Sequence, residues 1–294
     1  MPLIGPRCGL REFADTGPGP TKGDGMDEHH DAQQADAGER LRRRLDAIAA
    51  RLAARPEALG LLALGSVGRA WERVDAWSDL DFFVLVQPDF KQRYIDHLDW
   101  LEEAHPVVWH FRNTVDGHKA LMADGVFCEF AVFAPEELAH IPYAAGRFVW
   151  RRPELDAGLA SPQRPLPALP GRAWLVGELL SNLMVGLQRL ARGERLAAAR
   201  LVQVHALDRL LELEEQVRPE GDPATRDPFQ VDRRIERRRP QLQALLEEAA
   251  GGYAHTAAAA RRILAHAQTL VPLPAPAVAR VQALCAAVAE DRPG

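Results

Sequence analysis

The apolar positions of the chain change period partway along it. Leu41, Leu45, Ile48 and Leu52 recur at helical spacing with Arg42, Arg43, Arg44 and Arg51 between them. That pattern predicts an amphipathic helix packed on a sheet, its arginines outward. Short β-prone apolar runs follow at 61–64, 82–86 and 107–111, the last entered through Pro106. Residues 118–122 and 126–133 flank Asp124-Gly125, which reads as a hairpin turn. Residues 90–104 read as a helix, 135–138 as a short one and 146–152 as a last extended piece. These elements predict a mixed sheet of about five strands with helices on one side.

Beyond Arg172 the period becomes helical. Residues 174–192, 196–217, 228–250, 254–270 and 276–291 read as helices, broken at Gly193, at Pro219-Glu220-Gly221 and at Gly251-Gly252, with Pro240 set to kink or divide the third. Between the two halves, Pro153, Pro162, Pro165, Pro167 and Pro170 exclude regular structure. The expected fold class is α+β, a mixed β-sheet domain over 39–152 followed by a C-terminal α-helical bundle over 172–294. Residues 153–171 form the linker. Residues 1–38, rich in Gly, Pro, Asp and His, read as a disordered or loosely attached arm. The His29-His30 pair in that arm reads as part of a solvated acidic tail before it reads as a metal site.

Composition narrows the function classes. With 47% hydrophobic and 26% charged residues over 294 positions, the chain has the profile of a globular protein with room for two domains. A formal net charge of −5 provides no global field for nucleic acid and weighs against a nucleic-acid partner. Cys8, Cys128 and Cys285 lie far apart, which fits neither a metal-ligand spacing nor a disulfide framework, and points to a reducing cytoplasm. No run is long and apolar enough for a membrane span, and the opening residues lack the apolar core of a signal peptide.

The chemistry concentrates in residues 61–86, LLALGSVGRAWERVDAWSDLDFFVLV. An apolar strand ends at Gly65-Ser66, where a strand feeding a helix offers backbone N–H groups and a positive helix end to an anion. The second strand opens on Ser78-Asp79-Leu80-Asp81. Side chains at i and i+2 share a face, so Asp79 and Asp81 project together and suit a hard divalent ion. A solvated loop end is the plainer account of either half alone. Glu129 is the only charge in the apolar run 126–133, an odd place for an unemployed carboxylate.

A Gly-Ser pattern followed by Asp-x-Asp, with a third carboxylate on a later apolar strand, resembles the signature of the nucleotidyltransferase superfamily that includes DNA polymerase β. The span from residue 39 onward is similar to the antibiotic nucleotidyltransferases, those acting on lincosamides above all, through the patterns at 179–183, 193–195, 205–209 and 227–236. The resemblance implies an ATP-binding or other nucleotide-triphosphate-using enzyme that moves a nucleoside monophosphate to a hydroxyl of a small molecule, such as a lincosamide or aminoglycoside antibiotic, and releases pyrophosphate. It implies Mg²⁺, two ions, on Asp79, Asp81 and Glu129, with Glu129 a ligand first and a general base second. Gly65, Ser66, Arg69 and Ser78 would face the phosphates, although Arg69 is as readily a surface partner of Glu72 or Asp75. Arg233 and Arg234, in a run of helical arginines, could add charge toward the triphosphate, with a solvated basic face as the competing account. A protein or RNA acceptor, or a non-catalytic module in a toxin-antitoxin-like pair, are the alternatives. A homodimer is compatible with either.

Overall fold

The structure, a computed structural model, describes residues 25–69, 71–164, 168–219, 226–227 and 229–290. Cys8, most of the expected arm and the side chains of His29 and His30 lie outside the described residues. The chain divides into two compact units, residues 1–141 with 145–163, and residues 142–144 with 164–294. The division falls within the proline-rich segment, and the short piece 142–144 belongs with the helical unit.

In the first unit, six strands among the described residues form one mixed sheet. They are β1 (Ala58–Ala63), β2 (Leu80–Val86), β3 (Val107–Arg112), β4 (Gly117–Met122), β5 (Phe127–Phe133) and β6 (Arg147–Arg151), in the order β3-β4-β5-β2-β1-β6. β2 and β5 run parallel, while every other neighbouring pair is antiparallel. The extended piece near residue 150 thus joins the sheet as its sixth strand, beyond β1.

Helix α1 (Gly25–Ala53) buries Leu41, Leu45, Ile48 and Leu52 on one face of this sheet, as their spacing predicts. It begins well inside the segment expected to be an arm, so residues 25–38 are helical. Its arginines are not all outward. Arg44 donates to the Ala104 carbonyl and pairs with Asp124 at 2.5 Å, which ties the helix to the β4–β5 turn.

The expected helix over 90–104 is two short ones, α2 (Lys91–Asp96) and α3 (Asp99–Glu102). The reason is Trp100. Tyr94, Ile95, Leu98 and Leu101 make one helical stripe, but Trp100 falls off it, and all five are buried. Breaking the helix lets Trp100 reach the core, where it packs edge-on against Phe130 at 5.2 Å and donates its indole N–H to the Tyr94 carbonyl. Phe82 stacks on Phe130 at 5.2 Å and His118 stacks on the same ring at 5.8 Å, so one aromatic layer runs across β2, β5 and β4. Burial holds the His118 imidazole below its ordinary pKa, and it packs as a neutral ring.

The second unit is helical. Its central helix α4 (Arg172–Ala191) meets a long helix comprising α5 (Arg195–Ala199), a π-helical stretch (Arg200–Ala206) and α6 (Leu207–Val217). Gly186 permits their close approach, since a Cβ there would lie 2.6 Å from Val202. The π stretch also presents Gln203, whose amide donates to the Gly252 carbonyl and accepts from the Gly252 N–H, both at 2.9 Å. Two further helices, spanning Thr256–Leu270 and Ala275–Glu290, complete this core.

The stretch expected to be one helix over 228–250 is divided by Pro240, as its sequence allowed. One turn spans Ile235–Arg238 and another helix Gln243–Ala249. Proline pushes the preceding residue out of the helical region, and Arg239 sits at φ −139°, ψ 64°. That turn drives Arg239 inward. Its guanidinium is 1% exposed and bonds both Glu215 oxygens, at 3.2 and 3.3 Å, while Arg238 pairs with Glu215 as well. Glu214, 2% exposed, takes His266 at 2.8 Å and Arg218 at 3.4 Å.

Removing one partner from such a buried cluster leaves uncompensated charge. Arg239→Ala is expected to destabilise the helical unit by about 3–5 kcal/mol in urea unfolding of the full chain. Burial opposes ionisation of Glu214, but His266 and the neighbouring arginines outweigh it and hold the carboxyl below its ordinary range. A depressed carboxylate stabilises above its unfolded pKa of about 4.3, and that contribution fades as pH falls through the lower folded value. The unit should therefore lose stability on acidification, and less so in Glu214→Gln.

Candidate active site

The site grows out of strand register. Asp81 on β2 is the Cα partner of Glu129 on β5, Glu129 is the partner of Lys119 on β4, and Lys119 is the partner of Phe111 on β3. Register partners share a face, so these four side chains form one row across four strands. The alternate positions Leu80, Phe82, Cys128, Phe130 and Ala120 are buried in the aromatic core beneath. Asp81 and Glu129 are therefore directed to the half-exposed face by the packing of their neighbours. Burial raises the Cys128 thiol to about 12, so it stays neutral under the acidic row.

Asp79 stands one residue ahead of β2 and, by the same register, lies level with Phe127. It is half-exposed, as Asp81 is, while Leu80 between them is fully buried. The alternation expected of i and i+2 is kept.

Gly65 closes the site on the β1 side. Leu64 N–H donates to the Asp81 carbonyl at 2.7 Å, which holds the end of β1 against the start of β2. Gly65 has φ +54°, and a Cβ on it would lie 2.4 Å from Asp81 Oδ2. Glycine is required twice over, by the left-handed backbone and by the carboxylate lying against its α-carbon. Gly65–Val67 is a single 3₁₀ turn, not the start of an α-helix. The helix-end contribution expected for anion binding is therefore missing, and the turn's own backbone is what remains.

Glu129 has two partners that sequence reasoning missed. Lys119 Nζ lies 3.0 Å from its Oε2, and Asn113 Nδ2 donates to its Oε1 at 3.3 Å. The signal for Lys119 was present in the Asp124-Gly125 hairpin, whose pairing sets it directly across from Glu129. Among the described residues no three acidic, histidine or cysteine side chains gather closely enough to hold a metal ion by themselves. Asp79 and Asp81 offer hard oxygen donors, and Mg²⁺ characteristically binds through one or two carboxylates with substrate phosphates and waters supplying the rest. The residues fit one such ion. A second on Glu129 would have to compete with Lys119.

The remaining expected residues are engaged elsewhere. Ser78 accepts from the Asp75 N–H at 3.0 Å and donates to Asp75 Oδ1 at 3.1 Å, which staples the loop before β2. Arg69 donates to the Gly146 carbonyl at 2.9 Å and to Ser161 Oγ at 2.7 Å. It is neither turned to Glu72 or Asp75 nor left open for phosphate; it braces the entry to β6. Arg233 and Arg234 belong to the second unit, where both approach Asp227, at 3.3 and 3.9 Å. They are not on a regular helix, since Arg234 has φ 59° and the helical turn begins only at Ile235.

No family model matches the sequence, and no curated protein matches it. Among solved structures, an aminoglycoside 6-adenyltransferase from Bacillus subtilis is similar at 13% identity over 86% of this chain and 93% of that one, with a TM-score of 0.30. A nucleotidyltransferase-like protein from Exiguobacterium sibiricum is similar at 14% identity over 78% of this chain and 75% of that one, with a TM-score of 0.33. Likenesses this loose carry no weight for the chemistry, which rests on the residues above.

Gly65→Ala tests the geometry directly. The strained φ alone costs about 1–3 kcal/mol, and the new methyl must displace the Asp81 carboxylate. The variant should fold with a lowered thermal midpoint, whereas Gly125→Ala, at an open turn with φ +84°, should show the strain without any effect on ligand binding at the carboxylates.

Proposed function

We propose that the chain is a nucleotidyltransferase, moving a nucleoside monophosphate from a nucleotide triphosphate to a hydroxyl of a small-molecule acceptor. The observation that supports this best is the in-register placement of Asp81 beside Glu129, with Gly65 against the Asp81 carboxylate. Lys119 already balances Glu129, and Asp79 and Asp81, half-exposed on the same face, project together as hard oxygen donors suited to a cation. A merely solvated polar face does not call for a glycine in left-handed backbone against one of its carboxylates.

Asp79 and Asp81 would hold Mg²⁺, which when bound neutralises triphosphate charge and stabilises the departing pyrophosphate. The chain's own residues do the rest. The Gly65–Val67 turn would offer its backbone to the phosphate tail, while the missing side chain of Gly65 makes room for the Asp81 carboxylate. Glu129 orients the acceptor hydroxyl and takes its proton as the oxygen bonds to the α-phosphorus and the bond to the β-phosphate breaks. Lys119 and Asn113 fix the Glu129 carboxylate in place, and Lys119 keeps the acidic row from excess charge. Magnesium as the ion, ATP among the triphosphates, an antibiotic as the acceptor and a cytoplasmic setting all belong to this proposal. No described helix is long and apolar enough to cross a membrane.

The test is incubation of the purified full chain with each nucleotide triphosphate, Mg²⁺ and a panel of hydroxylated acceptors, followed by mass spectrometry. A gain of one nucleoside monophosphate on an acceptor is expected. Glu129→Gln should slow transfer by about 10²–10⁴-fold, in the range of a lost general base. Asp81→Asn should abolish it. Transfer undiminished in Asp81→Asn would sink the site assignment.

A further inference from the structure

We propose that the sheet face beside the carboxylates is the acceptor platform, built for a hydroxylated molecule with an apolar ring face rather than for a polycation. The inference rests on the nucleotidyltransferase reading and adds the chemical class of the acceptor to it.

Two rows of side chains cross the same face. One is Phe111, Lys119, Glu129, Asp81; the next is Trp109, Leu121, Phe127, with Asp79 level with its end. Each row runs from an aromatic residue at the sheet edge to a carboxylate at β2. Trp109 and Phe111 are 49% and 43% exposed, with ring centroids 5.1 Å apart, and Leu121 and Phe127 are half-exposed beside them. Large apolar side chains clustered in the open on an edge strand are a liability unless something covers them.

Geometry says what covers them. In an in-line displacement the attacking oxygen and the leaving group lie on opposite sides of phosphorus. The Gly65–Val67 turn, proposed for the phosphate tail, is on the β1 side of Asp81, and Glu129 is on the other side. Pyrophosphate therefore leaves toward β1, and the acceptor approaches from β5. Its body must then extend over β4 and β3. With strands about 4.8 Å apart, the distance from β2 to β3 is ~14 Å, enough for an acceptor larger than one sugar ring.

The chemistry of that stretch selects the class. Between the edge and Asp81 its charges are Lys119 and Glu129, which pair with each other, so no surplus negative charge is offered to a polyamine. Trp109 and Phe111 offer flat π faces, on which the C–H face of a sugar or an aromatic ring packs.

The probe is p-nitrophenyl glucoside, which joins hydroxyls to a flat ring, with glucose as the comparison lacking that ring. Binding to the full chain is followed by ligand-observed saturation-transfer NMR with Mg²⁺ and a non-hydrolysable ATP analogue present, and binding of the analogue itself by calorimetry. The aryl glycoside should bind more tightly than glucose. Trp109→Ala with Phe111→Ala should weaken it about tenfold, Trp109→Phe should restore most of that loss, and the analogue's affinity should not change. Both positions are exposed, so folding is expected to survive, and circular dichroism verifies it.

Four results would overturn the platform. They are unchanged glycoside binding in the double variant, no preference over glucose, loss of analogue binding instead, which would make the shelf a nucleobase site, or a dimer that dissociates on the double substitution, which would make it a contact between copies. Failure of the unmodified chain to bind the Mg²⁺-analogue complex is a separate outcome. It would sink the transferase reading, and the platform with it.

Discussion

The parallel pairing of β2 with β5 is the constraint on which the rest depends. These strands are distant in sequence, and their register alone decides whether Asp81 meets Glu129 or an apolar neighbour. A slip of one residue would put Glu129 into the core beneath the sheet and Cys128 onto its surface. The stack of Phe82 on Phe130, with His118 and Trp100 packed on the same ring, opposes that slip. Buried aromatic packing on one face thus fixes the carboxylate geometry on the other. Stability and chemistry are carried by alternate residues of the same two strands.

Much of this was legible in the sequence because it depends on local period. Leu41, Leu45, Ile48 and Leu52 declared the helix that covers the sheet, the Asp124-Gly125 pair declared the β4–β5 hairpin, and Leu80 between two aspartates declared which way each would face. Glu129 stood out as a lone charge in an apolar strand. The parts that were not legible depend on long-range contacts. Nothing local to Arg44 announces Asp124, 80 positions away, and nothing local to Arg69 announces Gly146. Lys119 differs from these, since the Asp124-Gly125 hairpin already sets it across from Glu129.

The same contrast holds among the arginines of the helical unit. As a sequence, the run from Arg233 to Arg239 reads as an amphipathic helix with a cationic face. Pro240 changes that by forcing Arg239 out of helical geometry and into the interior, where Glu215 meets it. What reads as a surface for anions is in part a buried ionic cluster. A proline's effect on its predecessor is local, but where the displaced side chain lands is set by the tertiary structure.

In the proposed reaction one ion and one triphosphate tail lie between Gly65 and the two aspartates, with Glu129 on the opposite side of the reacting phosphorus. A crystal structure of the full chain with Mn²⁺ and a non-hydrolysable nucleotide triphosphate analogue tests it most directly, because Mn²⁺ is located by its anomalous scattering. Expected are a manganese peak bound by Asp79 and Asp81, the β- and γ-phosphates against the Gly65–Val67 turn, and Lys119 still on Glu129. A nucleotide bound with its phosphates over β4, or manganese held away from both aspartates, would contradict it.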